Sequence, residues 1–314
     1  METNRWILRI GITAILITLA LCLGISFYLK LEEPVFLENY SEYTVSSYGN
    51  SPEEEDVYQA EEGGAYQRFD FIIQYVTNVT DQRTVIDVQF PEEPDFLTQV
   101  SNYDGNQYFA WPDSILFGED TTLLGAIYGR YSVRTVYVTI TYDKRDSSGP
   151  LVLTKAIVGY NNGDSQDISL GEMFLQSEAG QESCLEGRRS SSSSDGSTAK
   201  TFYVEKDITL MKVDSPLLES ADGLFSLKIN DIDYTEIAGL NLKAGDSMRI
   251  DSLFKIPEGD MMYNQYGLLP VIHYQDSEGN SYAERIYNID YVPYYHSLFT
   301  FTGIVKYLHS RGVL

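Results

Sequence analysis

Cysteine is nearly absent from this sequence. Its 314 residues contain two, Cys22 and Cys184. The first sits inside an apolar N-terminal run and the second far along the chain, so the two are expected in different compartments with no bond between them. A small secreted domain stapled by disulfides is excluded. Histidine is also scarce: His273, His296 and His309 are the only three, which leaves little for a nucleophile that needs an adjacent imidazole base. No Gly-x-Ser-x-Gly elbow, phosphate loop, His-Glu-x-x-His or Cys-x-x-Cys pattern occurs. The expectation is therefore no catalytic residues of that kind, no cofactor-binding residues and no metal ligands. A glycosidase-type pair of carboxylates has no local motif and stays open.

Positive charge is the third shortage. Twenty-two Lys and Arg face 46 Asp and Glu, a formal net charge of −24. Such a chain repels phosphate, which argues against nucleic acid as a partner; it keeps the protein soluble and attracts basic groups. Aromatic content is high, with 25 Tyr beside 14 Phe and 2 Trp, and tyrosine favours strands and half-wet surfaces. Trp111 and clustered tyrosines also leave a carbohydrate-binding or carbohydrate-active role as an alternative.

Long hydrophobic runs are missing except for one. Ile10 to Leu29 is uncharged over 20 residues, the length a helix needs to cross the hydrocarbon core. Arg5 and Arg9 precede it, with Trp6 at one interface and Phe27 and Tyr28 at the other. The positive flank predicts the N-terminus in the cytoplasm and the C-terminus outside. A cleaved signal has a shorter apolar core and a small-x-small site; Ala20-Leu21-Cys22 is not one and Gly24-Ile25-Ser26 is only fair. The segment reads as a signal anchor over residues 1–30, touching the bilayer through residues 10–29.

Between residues 31 and 67 the composition reads as a solvated acidic stalk, with ten acidic residues and no basic one from Leu31 to Glu62. Tyr40, Tyr43, Tyr48 and Tyr58 allow an alternative, a strip that orders on a basic partner. From 68 to 175, Phe69, Phe71, Ile73 and Tyr75 alternate, as do Val136, Val138, Ile140 and Tyr142, which predicts strands. Residues 176–200, with Ser190–Ser194 and three glycines, read as a linker or a loop within one sandwich. A second β region follows over 201–314, including a hairpin from Leu268 to Ile289 turning at Asp276–Asn280. A weak repeat aligns Val138–Asp143, Ser147-Ser148-Gly149 and Ala156 with Val271–Asp276, Ser277-Glu278-Gly279 and Ala283. Asn230, Asp231 and Asp233, and Asn161, Asn162, Asp164 and Asp167, have calcium-type oxygens but read as turn residues.

Leu242–Ser247 followed by Phe254-Lys255-Ile256-Pro257, and Val76–Asp81 leading to Phe90-Pro91, resemble stretches of bacterial membrane-anchored cell-surface proteins with immunoglobulin-like domains. The resemblance implies a mainly β chain: one transmembrane helix, then two immunoglobulin-like β-sandwich domains. Domains of that group serve as adhesion, spacer or ligand-presenting modules, and the fold alone assigns no function.

The stretch Tyr291–Leu314 reverses the charge of the chain: it has no acidic residue and six aromatic ones. It reads either as a final strand and short helix closing the second sandwich, or as a contact for lipid or an acidic partner. Tyr294, Tyr295, Phe299, Phe301, Lys306, Tyr307 and Arg311 are the candidate contact residues. The expected role is a non-catalytic binding or scaffold protein of the cell envelope. Its expected partners are the bilayer and an envelope protein or cell-wall component; the alternative is an accessory subunit of a secretion or transfer apparatus.

Overall fold

The computed structural model describes residues 2–48, 66–102, 125–143, 151–177, 183–193, 196–218, 220–221, 223–286, 289–293 and 299–314. Helix α1 (Glu2–Tyr28) contains the stretch Arg9–Tyr28, which is long and apolar enough to cross a membrane and has none of its length buried against the protein. Nine strands follow: β1 (Val35–Phe36), β2 (Asn39–Tyr48), β3 (Tyr66–Asn78), β4 (Val85–Gln89), β5 (Leu97–Ser101), β6 (Ala126–Tyr128), β7 (Tyr131–Asp143), β8 (Leu151–Tyr160) and β9 (Ser165–Ser177). The alternation read in the sequence places Phe69, Phe71 and Ile73 of β3 opposite Ile140, Val138 and Val136 of β7, and Tyr75 opposite Arg134, all buried.

The pairing gives β1-β3-β7-β5 in one layer and β4-β8-β9 in the other, with β2 added parallel to β9. One core joins the two layers; Val85 and Val88 of β4, Leu153 and Val158 of β8, and Leu170 and Met173 of β9 face the β3 and β7 side chains. In immunoglobulin lettering this is an ABED sheet on a CFG sheet. The register of β2 on β9 places Asn39 opposite Gly171. Gly171 has φ +83°, and a Cβ there would lie 2.7 Å from the Asn39 carbonyl oxygen, so this close approach requires glycine.

Eleven further strands and a helix complete the chain: β10 (Leu185–Ser192), β11 (Ser197–Val204), β12 (Ile208–Asp214), β13 (Phe225–Ile229), β14 (Ile232–Asp233), β15 (Asn241–Leu242), β16 (Ser247–Phe254), β17 (Gln265–Leu268), β18 (Val271–Asp276), β19 (Ser281–Arg285), β20 (Ile289–Tyr291) and helix α2 (Phe301–Ser310). One layer runs β10-β11-β16-β13-β14 and the other β15-β12-β18-β19, the same order again. Phe202, Met248, Ile250 and Phe254 from the first layer meet Leu210, Ile272 and Tyr274 from the second. The chain is mainly β, with two sandwiches of immunoglobulin strand order.

Two expectations of coil are corrected. Within 31–67, β1 and β2 are strands, because Leu31, Phe36, Leu37, Tyr40 and Tyr43 supply the apolar side chains that the acidic composition conceals. Within 176–200, β10 and the start of β11 are strands. Leu185 is the one buried residue of β10; its register on β11 from Leu185–Val204 to Ser192–Thr198 comes from backbone pairing, to which serine is no obstacle. The repeat is also out of phase. Val138–Asp143 ends β7, which does not pair with β8, whereas Val271–Asp276 is β18, the first arm of the β18–β19 hairpin. The strand pair equivalent to β18–β19 is β8–β9.

The two sandwiches share an edge: β17 runs parallel to β2 and antiparallel to β20. Beside it the Glu42 carboxylate is buried, accepting from the Ser215 hydroxyl and, at 3.4 Å, from Gln176 Nε2. Arg285 Nη1 donates to Gln176 Oε1 at 3.1 Å. Burial pushes the Glu42 carboxyl above the usual glutamate range, against the donors around it.

Candidate functional site

The tail begins in the core of the second sandwich, where Tyr291 of β20 is buried, but its helix does not pack there. After β20 the chain returns to the base of the first one, where α1 ends. Thr300 caps α2 by accepting from Gly303 N at 3.0 Å. Ile304, Tyr307 and Leu308, spaced i, i+3, i+4, form its buried face. That face covers a third cluster made by Leu31, Leu37, Val76, Tyr131, Val133 and Tyr263. Tyr263, from the 3-10 turn Gly259–Tyr263, lies 5.0 Å from the Tyr307 ring and 5.5 Å from Phe299, centroid to centroid. Its hydroxyl occupies the space a Cβ at position 303 would need, so Gly303 permits this contact.

The same base grips the end of α1. Tyr131 Oη donates to Leu29 O at 2.6 Å, and Arg130 Nη1 donates to Ser26 O at 2.6 Å. Asn78 brackets Leu31, accepting from its N–H at 3.1 Å and donating to its carbonyl at 2.7 Å. Arg83 donates to Glu32 O at 3.0 Å. From the tail, His309 meets Tyr28 Oη at 3.3 Å, and Arg311 pairs with Glu38 at 2.9 Å. Residues far apart in sequence thus bracket the exit of the apolar helix, and the carbonyls of its frayed last turn find donors in the body.

The seven candidate contact residues divide. Phe299 and Tyr307 are core side chains, 4% and 1% exposed; burial pushes the Tyr307 hydroxyl up to about 12. Phe301 is 38% exposed and stacks on Tyr131 at 5.9 Å. Arg311 is engaged with Glu38. Lys306 is exposed. Tyr294 and Tyr295 lie outside the described residues. Sequence reasoning missed Ser26, Asn78, Arg130 and Tyr131. The one available signal was Gly129-Arg130-Tyr131 between two strands, a basic residue and an aromatic one of the kind that favours interfaces.

The oxygen-rich groups are turn chemistry. Asn230 and Asp231 have φ +49° and +67°, the geometry of a two-residue hairpin loop between β13 and β14. Asp233 accepts from the Thr235 N–H and hydroxyl. Asn162 Nδ2 donates to Asp164 at 2.6 Å, and Asn161 accepts from Thr84 N. Among the described residues no group of three His, Cys, Asp or Glu side chains is placed to hold a metal. Asn39-Tyr40-Ser41 and Asn78-Val79-Thr80 have the short form of a glycosylation acceptor, but Asn39 and Asn78 are both buried. Cys22 is exposed on α1 and Cys184 is buried. Trp111 lies outside the described residues.

No family model matches the chain, and no curated protein matches it. Among solved structures, the D00–D0 domain of intimin aligns over 82% of this chain and 100% of its own, at 10% identity and TM-score 0.23. A protein of unknown function from Porphyromonas gingivalis W83 aligns over 71% and 90%, at 8% and 0.20. The sialic acid binding region of the Streptococcus sanguinis SK1 adhesin aligns over 81% and 76%, at 9% and 0.17. At scores this low, the immunoglobulin-type order of the two sandwiches rests on their own strand pairing.

Proposed function

We propose that the protein is a membrane-anchored, extracytoplasmic, non-catalytic binding or scaffold module of the cell envelope, with its two sandwiches as domains outside the bilayer. The observation that carries this reading is the junction at the end of α1. The apolar stretch Arg9–Tyr28 is left uncovered by the protein, yet its last turn is held by Arg130, and Leu29 and Leu31 just beyond it by Tyr131 and Asn78. An apolar helix of that length finds its solvent in hydrocarbon, and a cleaved signal would gain nothing from bonds to the mature body. Arg5 and Arg9 support an inside N-terminus. The strongly acidic ectodomain suits a basic partner or cation-rich wall polymer.

The test is carbonate extraction of membranes followed by protease treatment of intact protoplasts. The chain should stay with the membrane and lose everything after Lys30. Release by carbonate, a mature N-terminus beyond Gly24, or full protease protection overturns the reading.

A further inference from the structure

Cys22, Ile25 and Ser26 of α1 lie on one helical face with Leu29, which follows its end and donates to Ile25 O, spaced i, i+3, i+4 and i+7. That face is not in contact with the body along its whole length. Between it and the β6–β7 turn is an open notch of 370 Å³, walled on the far side by Gly129, Arg130 and Phe301. Its depth follows from helix geometry: Cys22 is six residues before Tyr28, about 9 Å along the axis at 1.5 Å per residue. If Tyr28 marks the interface, the notch runs from headgroup level into the acyl region.

Ile25, Leu29 and Phe301 are apolar walls. Gly129, at φ +67°, lets the Phe301 ring sit against the turn, since a Cβ there would come within 2.9 Å of the ring. The one charged residue at the notch is Arg130. Its Nη1 holds Ser26 O, its Nε is buried with no acceptor among the described residues, which leaves the guanidinium edge away from Nε for a ligand, and the group lies 5.9 Å from the Tyr131 ring. Among the described residues no carboxylate pairs with it, although acidic residues outnumber basic ones about two to one in the chain. The nearest acidic groups in sequence to the anchor, Glu32 and Glu33, line a different cleft with Lys30 and Arg311. A cation with no carboxylate partner among the described residues, beside an apolar slot at the depth of the interface, matches an anionic phospholipid in charge and polarity.

We propose that this notch binds one anionic phospholipid of the outer leaflet, its phosphate on Arg130 and one acyl chain along Phe301, Ile25 and Cys22. The proposal rests on the anchor reading. The β6–β7 turn and the start of α2 then form a second contact with the bilayer, which restrains the tilt of the sandwiches over the membrane. An arginine suits this place better than lysine, because its planar group serves a helix carbonyl and a phosphate together.

The experiment uses the full chain in phosphatidylcholine nanodiscs carrying a trace of spin-labelled phosphatidylglycerol or spin-labelled phosphatidylcholine. The motionally restricted fraction of each label is measured by electron paramagnetic resonance. The expected result is about a fivefold preference for phosphatidylglycerol, the ratio that ~1 kcal/mol per basic group gives. Arg130→Gln should abolish the preference, Arg130→Lys should retain part of it, and Phe301→Ala should lower the restricted fraction of both labels. Inorganic phosphate at millimolar concentration should not displace the labelled lipid; displacement would make this a site for free phosphate and overturn the lipid assignment. Equal restriction of the two labels in the wild type, or an undiminished preference in Arg130→Gln, also overturns it and leaves the anchor intact. Failure of the chain to enter nanodiscs overturns the anchor reading itself.

Discussion

The C-terminal helix is expected to be a structural closure of the first sandwich, and two single substitutions test that. Leu308 is completely buried and Tyr307 nearly so, both against the cluster that includes Val76, Val133 and Tyr263. Leu308→Ala removes three carbons from a closed site, which typically costs about 2–5 kcal/mol. At roughly 2–4 °C per kcal/mol for a protein of this size, a central loss of about 3 kcal/mol lowers the midpoint by about 6–12 °C. Tyr307→Phe runs the other way. Its hydroxyl is buried without a hydrogen-bond partner, so removing it relieves an unpaired polar group, a burden of about 1–3 kcal/mol, and leaves the ring contacts in place. The midpoint should hold or rise. Thermal unfolding of the full chain in detergent, followed by the far-ultraviolet β signal, reads both. Deleting residues 299–314 would remove four buried side chains and uncover the face made by Leu31, Leu37, Val76, Tyr131, Val133 and Tyr263; at about 1.5–3 kcal/mol for each side chain fully exposed, that is a large share of an ordinary stability of about 5–15 kcal/mol. A Leu308→Ala midpoint equal to wild type refutes the packing argument, and a Tyr307→Phe midpoint well below it shows that the hydroxyl has a partner.

Three further outcomes are expected. Gly171→Ala forces a positive φ and a Cβ onto the Asn39 carbonyl, and should cost about 1–3 kcal/mol; urea unfolding that leaves the midpoint unchanged would show that β2 is not docked on β9. Glu42 has its pKa raised in the folded chain, chiefly by burial, so the unfolded chain ionises first as pH rises. Its ionisation therefore favours unfolding, starting near the ordinary glutamate value of about 4.3 and saturating above the folded pKa. The stability of Glu42→Gln relative to wild type should grow with pH across that window, and a pH-independent difference would refute the buried site. Asp276 is held down to about 2, first by the Asn280 side chain and also by the Asn280 and Glu278 N–H groups and the Tyr282 hydroxyl. Its contribution is present above about 3.9 and is lost as pH falls toward 2; a carboxyl carbon titration midpoint near 4 by nuclear magnetic resonance would contradict the turn geometry.

The parts of this fold that were legible are those in which one strand states its own periodicity. Phe69, Phe71, Ile73 and Tyr75 alternate because one face of β3 lies on a core. The β18–β19 turn shows itself through Asp276 and Gly279, whose φ is +86°. Helix α1 declared itself by length alone. Pairing was less legible. Val138–Asp143 and Val271–Asp276 look alike because both are half-buried strands ending at a turn-rich stretch, and nothing local says that β7 and β8 lie in opposite layers whereas β18 and β19 share one. Composition misled where the backbone did the holding: Ser190–Ser192 belong to a strand because β11 supplies their hydrogen bonds.

The tail shows the same limit at the level of a site. Its charge reversal drew attention to Lys306 and Arg311, and its aromatic content to Phe299, Phe301 and Tyr307. Helical spacing of Ile304, Tyr307 and Leu308 was there to be read and points to a buried face. Burial against what was not readable, because the opposing groups come from Leu31, Val76, Tyr131 and Tyr263, dispersed over more than two hundred positions. A basic residue in an acidic chain therefore divides by its neighbour in space. Arg311 and Arg83 find carboxylates and hold the base together, whereas Arg130, beside the apolar helix, finds none among the described residues. Charge reversal in a sequence marks where the surroundings change; only the fold tells which of those cations is spent on an ion pair and which lies against the apolar helix.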